Sequence, residues 1–249
     1  MESELEYHER LYSGFAQQHF ARPAIRAFRA HLASHIRRTT GAGPRHRVLS
    51  LGCGIGDTEL LLAPYVRELV GLDLSPTAIR QAREDAEAAG VRNTRFLEGS
   101  PDSIAPPDEP FDLIVAIFFL HHLPDVRLRP VPSMARKLLG KGGKFYALDP
   151  SRYRLSGAIG SLLLPSLMRK YQSPDERPLD AKWVVSLFRE SGFECTASFY
   201  DFISTPLSGL FPGWRAGYEA ARRVDNLLIR VPLLRLLGSN FELLATTND

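Results

Sequence analysis

The segment VLSLGCGIGDTE, residues 48–59, decides the fold of this chain. Residues typical of a buried strand lead into glycines at positions 52, 54 and 56, and polar residues suited to a helix start follow. A glycine has no Cβ, so the backbone can turn from strand to helix with positive φ and let a ligand approach closely. The three glycines therefore predict either a tight strand–helix turn alone or the floor of a ligand site.

The composition limits the classes of protein that this chain can belong to. Its 249 residues are 44% hydrophobic and 24% charged, which fits either one globular α/β domain or two small domains. No apolar run approaches the roughly 20 residues that span a bilayer, and the opening MESELEYHER lacks the order of a signal peptide. We therefore expect a cytoplasmic protein. The net charge of +3 is small and spread out, which argues against a nucleic-acid partner.

Cysteine usage excludes two further classes. Cys53 and Cys195 are the only cysteines, so neither a disulfide framework nor a zinc cluster is available, and we expect no metal site. Both cysteines are predicted to be small core residues.

Outward from the glycines, strand and helix patterns alternate along the chain. This alternation predicts an α/β fold with a doubly wound, mostly parallel sheet. Seven segments have strand character: HRVLSLG, LVGLDL, TRFLEG, FDLIVAIFF, GKFYALD, FECTASFYDFI and NFELLATT. The segment TELLLAPYVREL has helical spacing, and so does SPTAIRQAREDAEAAG, in which Ser75 is a suitable cap, Pro76 a suitable first residue and Gly90 a suitable stop.

Asp73 supports the ligand-site reading of the glycines. It closes the strand after the glycine turn, where a carboxylate can accept hydrogen bonds from both hydroxyls of a ribose. A dinucleotide fingerprint needs Gly or Ala at position 57, but this chain has Asp57, which is badly placed for a pyrophosphate. The pattern therefore favours the cationic cofactor S-adenosylmethionine over a dinucleotide.

Four segments together resemble the class I S-adenosylmethionine-dependent methyltransferases: VLSLGCGIG, VGLDLSPTAI, FDLIVAIFFLHHLPD and LLGKGGKFYALDP. Within that family the chain is similar to the small-molecule branch (methyltransferase type 11) that includes the ubiquinone and menaquinone methyltransferases. The resemblance is good over residues 45–150 and loose elsewhere. It implies a Rossmann-like sheet of seven strands with an antiparallel last strand, and S-adenosyl-L-methionine as the cofactor.

The resemblance also assigns candidate cofactor residues. Gly52 and Gly54 would pass beneath the methionine part of the cofactor, Asp73 would hold its ribose, Leu74 would flank its adenine, and the backbone at Ile117 would meet its amino group. The remaining candidates for cofactor contact are Tyr12, Ser50, Cys53, Ser100 and Pro101.

Two positions depart from the family pattern. Family members usually carry an acid two residues before the first glycine, which helps to hold the ammonium group of the cofactor, but this chain has Ser50. An Asp often follows the glycine after the third strand, where this chain has Ser100, although Asp102 lies two residues further on. We expect these changes to lower cofactor affinity without removing the site.

Candidate catalytic residues follow the fourth and fifth strands. Methyl transfer requires alignment of acceptor, methyl group and sulfur, and a hydroxyl acceptor also requires removal of a proton. His121 and His122 are candidates for this base, although either one can instead have a structural role. Asp149 ends the fifth strand, where it can bind the acceptor or cap the next segment.

The chain is predicted to form one methyltransferase domain over residues 1–249. Residues 1–44 form an N-terminal helical cap, residues 45–150 the cofactor-binding half, and residues 151–249 the acceptor half. Insertions at 151–178 and 204–238 join the cap as a candidate helical lid over the acceptor. Aromatic residues of the cap available to cover the cofactor are Tyr7, Tyr12, Phe15, His19 and Phe20.

The Leu-rich segments SLLLPSLM and NLLIRVPLLRLL favour a small apolar or lipid-like acceptor. Packing between helices, a second subunit or a membrane surface are alternative roles for these leucines. In the lid reading, the apolar residues Leu228, Ile229, Leu233, Leu234 and Leu237 face the acceptor, and Arg222, Arg223 and Arg230 face water or an acidic group. We expect methylation of oxygen; methylation of carbon or nitrogen, and a non-catalytic cofactor-binding protein, remain alternatives.

Overall fold

A seven-stranded sheet in the order β3-β2-β1-β4-β5-β7-β6 forms the centre of the molecule. The computed structural model describes residues 4–104, 106–163 and 176–248. All neighbouring strands are parallel except β7, which runs antiparallel to both β5 and β6. The predicted fold class is therefore confirmed. The strands are β1 Arg47–Leu51, β2 Glu68–Asp73, β3 Thr94–Glu98, β4 Phe111–Ile117, β5 Leu139–Pro150, β6 Phe193–Asp201 and β7 Asn240–Thr247.

Helices cover both faces of this sheet. The N-terminal segment holds α1 Glu4–Arg10, a π-helical turn at Leu11–Phe15, α2 Ala16–Phe20 and α3 Pro23–Thr40. The other described helices are α4 Asp57–Leu62, α5 Pro76–Ala88, α6 Asp125–Leu128, α7 Val131–Leu138, α8 Leu155–Leu163, α9 Ala181–Glu190, α10 Ser204–Leu210 and α11 Arg215–Leu228, with 3-10 turns at Ala63–Tyr65, Pro101–Ser103, Leu120–His122 and Leu234–Leu237. None of these described helices is long and apolar enough to span a membrane.

Local signals explain where α4 and α5 begin and end. The Ser75 hydroxyl accepts a hydrogen bond from the backbone N–H of Ala78 at 3.0 Å, Pro76 opens α5, and Gly90 follows its end with φ +67°, as predicted. Helix α4 is shorter than the predicted TELLLAPYVREL helix, because it gives way to a 3-10 turn that contains Pro64.

The alternation of side chains in each strand divides the core between the two faces of the sheet. One face packs under α3, where Phe28, Leu32 and Ile36 contact a cluster that includes Val48 of β1. The opposite face packs under α7 and α9, with Leu49 in its cluster. Cys53 and Cys195 are buried and free, in agreement with their predicted core role.

The segment between β6 and β7 lies against the α3 side of the sheet. Helix α11 contacts α3, α10 and β6, and its Tyr218 belongs to the same buried cluster as Phe28. Asp225 of α11 accepts hydrogen bonds from the backbone N–H groups of Ile203 and Ser204, at 3.0 and 2.8 Å, at the start of α10. These contacts make α10 and α11 part of the folded core.

Candidate functional site

A cavity of about 660 Å³ opens at the carboxyl ends of β1, β2 and β4. Its size falls within the roughly 300–1,000 Å³ that is typical of small-molecule sites. Parallel strands that end at one edge bring their following turns together, and this edge is where ligands bind in open α/β sheets. The cavity is therefore the candidate site.

The glycine turn forms one wall of the cavity. Gly52 and Gly54 both have positive φ, at +67° and +53°, and both lie on the cavity wall. A Cβ at Gly52 would overlap the ring of Phe119, and a Cβ at Gly54 would lie 2.7 Å from the hydroxyl of Tyr12. Larger residues are excluded at both positions by conformation and by space.

Asp73 is oriented at the end of β2 by backbone donors. Its Oδ2 accepts from the N–H of Gly54 at 2.8 Å and its Oδ1 accepts from the N–H of Ser75 at 2.9 Å. Each oxygen retains a second lone pair, and the residue lies on the cavity wall. Burial raises the pKa of this carboxyl, and the two backbone hydrogen bonds act against that rise. The arrangement fits the predicted recognition of two ribose hydroxyls.

Nine of the ten candidate cofactor residues line the cavity, together with Asp102. These nine are Tyr12, Gly52, Cys53, Gly54, Asp73, Leu74, Ser100, Pro101 and Ile117. Ser50 is the exception: it is buried in β1 and does not reach the cavity wall. Its hydroxyl instead donates to Oε1 of Glu59 at 2.6 Å. Glu59 does line the cavity, and the sequence patterns did not single it out.

The two adjacent histidines lie in different environments. His122 lines the cavity, whereas His121 is buried behind it and is 4% exposed. The Nδ1 atom of His121 lies 2.8 Å from Oδ1 of Asp149, which also accepts from the backbone N–H of His121 at 3.1 Å. The rings of His121 and His122 are 4.0 Å apart between centroids. Only His122, of the three candidate catalytic residues, reaches the cavity.

Asp149 is fully buried at the end of β5, behind the part of the cavity wall that His122 forms. Burial raises its pKa to about 8, against the lowering effect of hydrogen bonds from the backbone around His121. Its Oδ2 has no hydrogen-bond partner within the described part of the chain. Asp149 therefore contacts His121 and does not line the cavity.

The N-terminal cap closes the cavity from the side of α5. Tyr7, His8, Tyr12 and Phe20 line the cavity. His19, another candidate, does not line it, and the side chain of Phe15 lies outside the described residues. The His8 ring packs edge-on against His122 with centroids 5.0 Å apart, so the cap meets the histidine wall directly.

Glu9 attaches the cap to the start of α5. Its carboxylate accepts hydrogen bonds from the hydroxyl of Ser75, from the hydroxyl of Thr77 at 2.6 Å and from the backbone N–H of Thr77 at 3.3 Å. Ser75 and Thr77 follow directly after Asp73 and Leu74, which line the cavity. The attachment thus lies beside the predicted ribose and adenine positions.

The segment 204–238 is not the predicted lid. None of its residues lines the cavity in the described structure, because Tyr218 and its neighbours on α11 find their apolar partner on α3 instead. Of the leucines expected to face the acceptor, Leu233 is 82% exposed and Leu237 is 40% exposed. The topology indicated the correct edge of the sheet, but it did not indicate the direction in which the helices fold from that edge.

Arg222 also differs from the prediction, since it is buried instead of facing water. Its guanidinium donates to the backbone oxygen of Tyr200 at 2.6 Å and lies 4.6 Å from the centroid of the Tyr200 ring. Arg223 and Arg230 are exposed, as predicted.

The insertion at 151–178 contributes one described residue to the cavity wall, Glu176. The backbone N–H of Arg177 donates to the oxygen of His121 at 3.1 Å, which attaches the end of the insertion to the histidine wall. Residues 164–175, which include most of the Leu-rich SLLLPSLM segment, lie outside the described residues.

Comparison with known proteins gives a matching domain and related folds. Residues 48–143 match the family described as a methyltransferase domain. The chain is similar to the uncharacterized methyltransferase YcgJ of Bacillus subtilis, with 38% identity over 45% of this chain and 44% of the relative. It is also similar to the ubiquinone biosynthesis O-methyltransferase of Azorhizobium caulinodans, with 35% identity over 33% of this chain and 32% of the relative. The matched part of the chain thus spans less than half of each of these relatives.

Two solved structures resemble the whole fold. The crystal structure of YcgJ from Bacillus subtilis has a TM-score of 0.63 at 21% identity and covers 88% of this chain and 99% of its own. The N-methyltransferase NodS of Bradyrhizobium japonicum, in complex with S-adenosyl-L-homocysteine, has a TM-score of 0.62 at 16% identity and covers 99% of both chains. At these identities the two structures show that the fold of this chain is the one found in YcgJ and NodS.

Proposed function

We propose that this chain, whose residues 48–143 match a methyltransferase domain and whose fold resembles that of an N-methyltransferase, is a class I S-adenosylmethionine-dependent methyltransferase. The reaction is methyl transfer to a hydroxyl group of a small apolar or lipid-like molecule. One observation carries the proposal: Asp73 and the glycine turn share a single cavity with His122. A cofactor held on the first wall would therefore present its methyl group inside a space that also contains a candidate base.

The lining of the cavity supports an apolar acceptor. Beyond the residues assigned to the cofactor, the apolar side chains on the wall include Leu5, Leu11, Phe20, Leu123, Val131 and Met134, alongside charged side chains that include Arg29, Arg127 and Glu176. Apolar walls with a few polar groups are typical of sites that bind small organic molecules. The apolar residues that support an apolar acceptor thus come from the cap and from the region around α7. They do not come from the Leu-rich segment at 204–238, as the sequence had suggested.

In the proposed mechanism the protein aligns the acceptor and moves one proton. The bound cofactor supplies an electrophilic methyl group on a sulfonium centre. His122 accepts the proton of the acceptor hydroxyl as the new bond forms, which is the usual role of a histidine general base. Asp149 fixes His121, and the His121 ring packs against that of His122, so both act as positioning residues.

A test of this proposal separates binding from catalysis. S-adenosylhomocysteine binding is measured by titration calorimetry, and turnover is measured as S-adenosylhomocysteine release with a panel of lipophilic phenols, quinols, amines and fatty acids. We expect binding and turnover with hydroxylated apolar acceptors. Turnover with amines alone, or methylation at carbon alone, would contradict an oxygen acceptor and indicate an N- or C-methyltransferase. Binding of S-adenosylhomocysteine without any turnover would favour the non-catalytic alternative.

We also propose that the exposed part of the segment 203–237 binds to a membrane surface. Exposed large apolar residues in this segment are Ile203, Leu210, Phe211, Trp214, Val224, Leu227, Val231, Leu233, Leu236 and Leu237. Exposed basic residues lie among them at Arg215, Arg223, Arg230 and Arg235, and the partly exposed Glu219 is paired with Arg215. Apolar and aromatic side chains interspersed with arginines suit the interface of an anionic lipid bilayer.

Sedimentation with lipid vesicles tests this contact. We expect the protein to bind phosphatidylglycerol vesicles and to bind phosphatidylcholine vesicles much less. Leu233→Asp should abolish binding, whereas Leu97→Asp should not, because Leu97 is a partly exposed leucine on the distant edge strand β3. Equal binding by the two variants, or none by the wild type, would contradict the proposal.

A further inference from the structure

Glu59 occupies a position that the family pattern does not explain. The family carries an acid two residues before the first glycine, but this chain has Ser50 there, and Ser50 does not reach the cavity. Glu59, in α4, is 4% exposed and lines the cavity. The 2.6 Å hydrogen bond from the Ser50 hydroxyl to Oε1 of Glu59 joins the two residues. The chain therefore has a cavity acid on a neighbouring helix, attached to the strand position where the family has its acid.

The carboxyl of Glu59 is buried without a cation of its own. Within the described structure, its hydrogen bonds come from Ser50 and from its own backbone N–H. The nearest guanidinium, that of Arg29, is bound by Asp57 at 3.0 Å and donates to Thr58 at 3.3 Å. Burial raises the pKa of Glu59 to about 7, with a smaller contribution from Asp57, as expected for a carboxyl that lacks a positive partner. A cationic ligand group in the cavity would supply that partner.

We propose that Glu59, held in place by Ser50, binds the ammonium group of the amino-acid part of the cofactor. The inference rests on the proposed use of S-adenosylmethionine, whose methionine portion would lie along the glycine turn between β1 and α4. An ammonium group carries three donors and no acceptor, so a carboxylate is its natural partner. In this chain the acid lies on α4, and the Ser50 hydroxyl on β1 donates to it.

A comparison of two adenosine ligands distinguishes binding of the ammonium group by Glu59 from a general effect of Glu59 on the shape of the cavity. S-adenosylhomocysteine carries the ammonium group, and methylthioadenosine lacks the whole amino-acid part. For Glu59→Gln we expect S-adenosylhomocysteine affinity to fall by roughly 10-fold to 100-fold, because a charge-assisted hydrogen bond is lost. Methylthioadenosine affinity should stay within about twofold, because the adenosine contacts are intact. The decarboxylated analogue of S-adenosylhomocysteine, which keeps the ammonium group, should show the same sensitivity as S-adenosylhomocysteine.

A matched control and a rescue complete the experiment. Asp57→Asn changes another acid of the same wall, but one that is already paired with Arg29, so it should affect S-adenosylhomocysteine binding much less. As the rescue, Glu59→Asp keeps a carboxylate at this position of α4, and it should retain at least about tenfold of the affinity that Glu59→Gln loses. This rescue also applies if Glu59→Gln alone folds poorly.

Two results would overturn the inference. One is an equal loss of affinity for S-adenosylhomocysteine and methylthioadenosine in Glu59→Gln, which would indicate that Glu59 only shapes the cavity. The other is unchanged affinity for both ligands. Failure of the wild type to bind either ligand would instead contradict the proposed cofactor, so the two failures are distinguishable.

Discussion

At the scale of single residues, hydrogen bonds from neighbouring backbone and side-chain groups hold the polar residues of the candidate site in place. Asp73 is oriented by two N–H groups, Asp149 holds His121, and Ser50 holds Glu59. Asp73 and Glu59 line the cavity themselves, and His121 packs against His122, which lines it. The sequence identified Asp73 correctly as a wall residue, because its place at the end of a strand defines its position. It did not identify Glu59, because the contact between β1 and α4 depends on packing and not on spacing.

Asp73→Asn is expected to weaken S-adenosylhomocysteine binding by roughly 1 to 3 kcal/mol, because the acceptors for the ribose hydroxyls lose their charge. The amide also carries an N–H₂ group next to a backbone N–H donor, so some stability should be lost as well. Titration calorimetry gives the affinity, and the melting temperature without ligand gives the stability. Unchanged affinity would mean that other residues hold the ribose.

His122→Ala is expected to lower kcat by about 10²-fold to 10⁴-fold without changing cofactor affinity, because it removes the proposed base. His121→Ala is the matched comparison: it should lower kcat less and lower the melting temperature more, because His121 is buried against Asp149. Steady-state kinetics and thermal melts on both variants provide the measurement. Equal and small effects on kcat would argue for catalysis by alignment alone.

The pH dependence of stability should report on Asp149. Its pKa in the folded protein is raised from 3.8 to about 8, so folding favours the protonated form. This contribution is fully present below about pH 4 and is lost as the pH rises towards 8. The free energy of unfolding should therefore decline over that range, and the decline should be shallower in Asp149→Asn. Denaturant titrations from pH 5 to pH 8 test this, and parallel curves for the two proteins would contradict it.

At the scale of elements, the sequence predicted the strands well and the connections poorly. Each strand is marked by its own run of apolar residues, and α5 by its cap, its proline and its glycine. The helices between β6 and β7 carry an equally clear apolar pattern, but such a pattern does not identify its partner. The apolar side of α11 packs on α3, and the predicted acceptor contacts are absent from the described cavity wall.

Asp225→Ala tests the structural role of this segment. It leaves the backbone N–H groups of Ile203 and Ser204 without acceptors, which should cost about 1 to 3 kcal/mol of stability. S-adenosylhomocysteine affinity should not change, because the segment does not line the described cavity. Glu219→Ala removes an exposed ion pair on the same helix and should cost less than about 1 kcal/mol. A raised KM for the acceptor in Asp225→Ala at an unchanged melting temperature would restore the lid hypothesis.

At the scale of the whole molecule, one cavity lies between a sheet edge and the N-terminal cap. The mostly parallel sheet, its antiparallel last strand and the edge at which Asp73 lies follow from the sequence, because parallel strands with helical crossovers have few arrangements. The identity of the cover does not follow, since it depends on which apolar surfaces meet after the chain has folded. The cavity is thus lined by residues from distant parts of the sequence, among them Leu5 and Glu176.

The hydrogen bonds that Glu9 accepts from Ser75 and Thr77 should affect the rate at which the spent cofactor leaves the cavity. Because α1 covers the cavity beside the predicted adenine position, we expect these hydrogen bonds to break and re-form when spent cofactor is exchanged for fresh cofactor. Glu9→Ala should therefore shorten the residence time of S-adenosylhomocysteine while changing its association rate much less, which stopped-flow displacement would resolve. If product departure limits turnover, the same variant should work faster than the wild type. An unchanged dissociation rate of S-adenosylhomocysteine in Glu9→Ala would mean that the Glu9 hydrogen bonds do not control the release of this product.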